Sequence, residues 1–131
     1  MTLIYRLVIA AAMLASGALH AYLYLHGYRH IPTVGTGFLV QASVFCAVGA
    51  LLAVGAPRWF GWASGLLSAG ALAAFGMSRT VGLFGFVETG LEPVPYAVLS
   101  VVAEAVAVLA AGVWLTQLWR QRSNPGAGKN P

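Results

Sequence analysis

The chain contains no aspartate, and its acidic side chains are only three: Glu88, Glu92 and Glu104. Without aspartate, most two-metal and aspartyl chemistry loses its usual ligands. Charge of either sign is also scarce, at 8% of 131 residues. An ordinary soluble domain carries about 25%. Three acids and seven bases cannot give a chain of this length the polar shell that water demands. Cysteine occurs once, as Cys46, which excludes an intrachain disulfide, a CxxC redox pair and a c-type haem attachment. Inside an apolar run it reads as a small core residue. No Walker loop, HExxH or GxSxG occurs, so no phosphate loop, zinc-protease helix or nucleophile elbow has a sequence context. A Ser/His/acid triad has no local support either.

What is present is apolar. Hydrophobic residues make up 60% of the chain, and the mean hydropathy is +0.82. These values point to an integral membrane protein of one domain. Four apolar runs cover approximately 3–26, 34–56, 60–78 and 96–119. Each approaches the ~20 residues that cross a hydrocarbon core of roughly 30 Å. Backbone polar groups must be satisfied internally in lipid, so the runs are expected to be helices. The ten-residue alternation of a barrel is missing. The expected fold is an all-α, four-helix membrane bundle with up-down-up-down topology over residues 1–122. Residues 123–131 read as a disordered Gly/Pro/Asn-rich tail.

The breaks carry turn chemistry. Pro32 closes the first helical region, Gly55-Ala56-Pro57-Arg58 forms a short connection, and Pro93 and Pro95 bracket the start of the fourth helix. With four crossings, Arg6, Arg58, Arg120, Arg122 and Lys129 share one side, and Arg29 and Arg79 the other. The positive-inside rule then places both termini in the cytoplasm of a cell whose plasma membrane holds the protein. Trp59, Trp62 and Trp119 fall at the inner interface, and Tyr22, Tyr24, Tyr28 and Tyr96 near the outer one. The net charge of +4 comes from scattered bases, not from a stripe with interleaved aromatics, so nucleic acid is not an expected partner. Arg6, the run to Leu14 and Ser16-Gly17-Ala18 resemble a signal peptide. The apolar stretch continues through Leu25, so the expectation is an uncleaved first helix.

Gly61 and Gly65, extended by Ala69, form a small-residue face on the third helix, with Gly70 and Ala74 as a second pair. Such faces let backbones approach closely in lipid, either within the bundle or between copies.

The polar residues within the runs are the candidates for function. Glu104 lies nine residues past Pro95, about 13 Å into the fourth helix. A carboxylate there costs several kcal/mol unless it is paired, protonated or hydrated. His20, Gln41 and Arg79 fall at comparable depth, and the four could form one polar layer near the outer end. That layer is either a satisfied network fixing helix register or a ligand, ion or proton site. His26 and His30, four apart, would share a face on a continuing helix and could hold a metal with Glu88 or Glu92. The alternative is a pair of interfacial histidines. No cofactor is assigned. The stretch Ser78 to Glu88 is too apolar for a free loop and reads as an extended or re-entrant segment, the alternative being a short amphipathic lid in the interface. If the helix continues there, Arg79 pairs with Glu104; if it stops, Arg79 snorkels to the headgroups.

The motif Ser78-Arg79-Thr80-Val81-Gly82-Leu83, with Glu92-Pro93 after it and His20 towards the end of the first helix, resembles small four-helix membrane proteins of actinobacteria. Those proteins often carry proline after the Gly-Leu pair. Phe84 stands there in this chain, which implies a less turned loop. The family brings no activity with it. In size and span count the chain is also similar to DoxX-like proteins, an architectural likeness only. The expected role is non-enzymatic, a binding or accessory protein with an outward-facing polar layer. The alternatives are an oligomeric transporter or channel component, and an outer-face metal or redox protein.

Overall fold

The structure, a computed structural model, describes residues 1–123. Four helices form: α1 (Leu3–Leu25), α2 (Val34–Ala53), α3 (Trp59–Ser78) and α4 (Tyr96–Ser123), with a single 3₁₀ turn at Tyr28–His30. Each of the four is long and apolar enough to cross a membrane. The exterior agrees with their composition. Leu3, Ile4, Leu66, Leu109 and many other large apolar side chains are exposed, far more than a water-soluble monomer shows.

The buried positions explain the packing. On α1 they are Ile9, Ala10, Met13, Ser16, Gly17, His20 and Leu23, the three-and-four spacing of one helix face, with Ala12 widening the stripe. That face lies between α2 and α4. Close approach depends on glycine. A Cβ on Gly17 would stand 2.6 Å from the Cys46 sulfur, and one on Gly49 would stand 2.8 Å from Leu14. The pairs Gly17–Cys46 and Gly49–Leu14 show α1 and α2 running antiparallel. Tyr5 with Gln117 at one end, and Tyr22 with Tyr96 at the other, show the same for α1 and α4.

Helix α3 sits at the edge. It packs chiefly on α4 and touches α1 and α2 at few points. Gly61 faces Trp114 and Gly65 faces Ala111, with would-be Cβ distances of 2.9 and 2.8 Å. The small-residue face is therefore filled within the chain. Ala69 does not belong to it: Ala69 is exposed, while Ser64 and Ser68 are fully buried, with Ser68 donating to the Met13 sulfur of α1. At helical spacing, Ser68 continues the line from Gly61 and Gly65, and Ala69 turns one step past it.

The helix ends follow their capping residues. α2 stops at Ala53, three residues short of the expected end, because Gly55 takes φ +102°. Bonds from Gly55 N–H to the Leu52 carbonyl and from Ala56 N–H to the Leu51 carbonyl complete the motif. α1 ends before Gly27 at φ +154°. α4 starts directly after Pro95 and runs on to Ser123, four residues past the expected end. Residues 124–131, which hold Lys129 and the rest of the expected disordered tail, lie outside the described residues.

The stretch after α3 is not helical. Gly82 N–H bonds the Met77 carbonyl at 2.8 Å and closes the helix. Leu83 and Phe86 then pair as a two-residue hairpin, each N–H bonding the other's carbonyl. Its central residues, Phe84 and Gly85, sit at φ +51° and +80°, the geometry of a type I′ turn. The loop is thus sharply turned where a milder course was expected. Phe84 adopts a φ that proline cannot reach.

Candidate functional site

The site begins with a stripe on α4. Ala97, Ser100, Glu104, Ala107 and Ala111 recur every three or four residues and are all buried. Glu104 is therefore carried into the bundle by the same face that packs against α1, and it is 2% exposed. Ser16 and His20 come from α1, one turn apart, and Gln41 comes from α2. The Ser16 hydroxyl and the Gln41 amide both donate to Glu104 Oε1, each at 2.9 Å. Among the described residues Oε2 accepts no hydrogen bond.

The histidine tautomer follows from its partner. His20 Nδ1 lies 2.9 Å from the Ser16 carbonyl oxygen, which can only accept, so Nδ1 carries the proton. In the neutral ring Nε2 then keeps a free lone pair. It stands 3.9 Å from Glu104 Oε1, beyond hydrogen-bond reach. Phe38 covers the imidazole at 5.1 Å between ring centroids.

These groups line a cavity of about 270 Å³. Its walls are mostly apolar and include Leu23, Phe38, Phe75 and Phe86. A second, more open cavity of about 250 Å³ lies in the gap between α2 and α3 and shares Gly37, Gln41, Ala71 and Ala74 with the first. Gly37 and Gly70 border open space there, since a Cβ on either would meet nothing within 4 Å.

The roof is built by the two loops at this end. Tyr28 donates its hydroxyl proton to the Glu88 carboxylate at 2.8 Å, and Arg79 Nη1 pairs with Glu88 Oε2 at 3.1 Å. Arg79 also donates to the Gly90 and Glu92 carbonyls and to the Ser78 hydroxyl, and lies 4.3 Å above the Phe75 ring. Burial and the neighbouring Glu88 charge push the Tyr28 hydroxyl well above the usual tyrosine range.

His20, Gln41 and Glu104 thus meet. Arg79 lines the same cavity but does not pair with Glu104, and its side chain stays partly exposed. Its helix ends at Ser78, and the loop turns the guanidinium onto Glu88 and the loop carbonyls. The two other histidines do not share a helix face. Gly27 breaks α1 between them. His26 Nδ1–H bonds the Tyr22 carbonyl at 2.8 Å, and His30 Nε2 accepts from Arg29 at 2.9 Å. Glu88 is held by Tyr28 and Arg79, and Glu92 accepts from the Val94 N–H. Among the described residues no three His, Cys, Asp or Glu side chains gather closely enough to hold a metal ion.

Sequence reasoning missed Ser16 and Tyr28. Ser16 was detectable, since it lies one turn before His20 on the same face. Tyr28 meets Glu88 across 60 residues of chain, and no local pattern announces that contact. Comparison with known protein families, curated proteins and solved structures finds no match to this chain.

Proposed function

We propose that the chain is a multi-pass protein of a bacterial plasma membrane that binds a small ligand in the cavity around Glu104, with no chemical step of its own. The excess of Arg6, Arg58, Arg120 and Arg122 at the end opposite the cavity supports an orientation with both termini cytoplasmic. The cavity then opens towards the outer leaflet or the space beyond it. In this reading the protein acts as a receptor or as an accessory subunit that presents its ligand to a membrane partner.

One observation carries the reading. A carboxyl group 2% exposed, held by two donors on one oxygen, borders an apolar cavity of about 270 Å³ with its other oxygen unpartnered. Oε2 is not sealed off as the unpaired Arg6 Nε and Trp114 Nε1 are; it is reachable from the cavity. An atom left without a partner beside a cavity is instead placed for a ligand.

Native mass spectrometry of the protein released gently from its own membranes tests this. The wild-type chain carries an added small-molecule mass, and Glu104→Gln carries less of it or none. A bare wild-type chain under conditions that retain bound lipid on other membrane proteins contradicts the proposal.

A further inference from the structure

With Glu104 ionised, the free polar atoms of the cavity share one property: both accept. Glu104 Oε2 has no donor, and His20 Nε2 is the unprotonated nitrogen of a ring whose proton is held by the Ser16 carbonyl. Among the described residues no lysine or arginine neutralises the carboxyl. Arg79, which lines the cavity, is committed to Glu88, Ser78 and two loop carbonyls. The complementary ligand brings donors, and if it also brings positive charge it supplies the counter-ion that a buried carboxylate lacks.

The walls specify the rest of the molecule. An engineered apolar cavity of about 150 Å³ holds one benzene, so about 270 Å³ accommodates a larger apolar body beside the polar end. The shared wall at Gly37, Gln41, Ala71 and Ala74 opens onto the gap between α2 and α3, where a tail can extend along apolar Val44 and Leu67.

We propose that the cavity takes a lipophilic amine, its ammonium group donating to Glu104 Oε2 and His20 Nε2 and its apolar body lying among Phe38, Phe75 and Phe86 towards the α2–α3 gap. An ammonium has three N–H donors, enough for both acceptors at once. An alcohol has one and no charge. A carboxylate adds a second negative charge beside Glu104. The inference rests on the binding reading above and gives it a ligand class.

The test uses three probes with one apolar body: 4-phenylbutylamine, 4-phenylbutanol and 4-phenylbutanoate. Each is titrated calorimetrically into the full chain in zwitterionic nanodiscs, with empty nanodiscs subtracted. The amine is expected to bind about tenfold more tightly than the alcohol, the difference of one charge-assisted hydrogen bond, and the carboxylate most weakly. Glu104→Gln removes the preference for the amine over the alcohol. Equal affinity for all three probes overturns the amine assignment and leaves cavity binding standing. Absence of binding by any probe to the wild-type chain overturns both. Should Glu104→Gln fail to fold, the order of the three affinities in the wild-type chain still decides.

Discussion

At the scale of single residues, burial and hydrogen bonding give the carboxyl groups of Glu88 and Glu104 different tasks. Glu88 faces a full positive charge and a phenol at the loop end, and it fastens the roof. Glu104 has neutral donors on one oxygen and a cavity on the other. Replacing Ser16 with alanine removes one of those donors. The expected loss is about 1 kcal/mol of stability, read as a lowered unfolding midpoint in detergent, and an unchanged midpoint contradicts the bond. The roof gives a pH-dependent prediction. The Tyr28 hydroxyl holds its proton more tightly in the folded chain than in the unfolded one. The folded state therefore binds the extra proton above about pH 10, the ordinary tyrosine value, and stability falls as pH rises from there. Tyr28→Phe should flatten that alkaline decline. An identical decline in both proteins assigns it to other groups. The depth of Glu104 and His20 was legible in the sequence because helical rise converts residue number into distance. The partners of Arg79 were not, because they depend on where α3 ends, and that is decided by Gly82 and the hairpin that follows.

Among the helices and loops, small residues do two different things. Gly61 and Gly65 let α3 close onto α4, whereas Gly37 and Gly70 border the open gap between α2 and α3. The spacing of the first pair advertised close packing, but spacing alone left two partners possible, a neighbouring helix or a second copy. Trp114 and Ala111 fill that face from within. Gly65→Leu should accordingly destabilise the fold by about 1–3 kcal/mol through overpacking. Gly70→Leu should change it by no more than about 0.5 kcal/mol, as at a surface position. Thermal unfolding of both variants in the same detergent checks the contrast, and equal effects refute this assignment of faces. The loop between α3 and α4 was the stretch least legible from sequence. Its apolar character suggested a continued helix, yet the positive φ of Phe84 and Gly85 folds it into a hairpin over the cavity. A phenylalanine at φ +51° is strained by about 1–2 kcal/mol. Phe84→Gly should relieve part of that cost, and Phe84→Pro should open the hairpin, seen as faster amide exchange at Leu83 and Phe86. Slow exchange retained in the proline variant contradicts the turn geometry.

For the whole molecule, the inside-out distribution of apolar side chains was fixed by composition. A chain with 8% charged residues and four long apolar runs has few alternatives to a bundle that turns leucine and valine outward. The order of neighbours was not fixed by composition. It arises because α1 is the most buried of the four helices, with α2 and α4 packed around it and α3 left at the edge beside an open gap. The proposed orientation is testable in cells. In a Cys46→Ala background, Thr89→Cys should react with a membrane-impermeant maleimide in intact cells, and Ser123→Cys only after permeabilisation; the reverse pattern overturns the topology. The central claim, that the cavity binds its ligand at Glu104, has a more direct test. The chain holds three glutamates and no aspartate, so selective carboxyl ¹³C labelling of glutamate gives three side-chain signals. Each is assigned by replacing one glutamate with glutamine. Titration with 4-phenylbutylamine should move the Glu104 signal in a saturable way and leave that of Glu92 in place. A Glu104 signal that stays fixed while the amine binds would contradict the account.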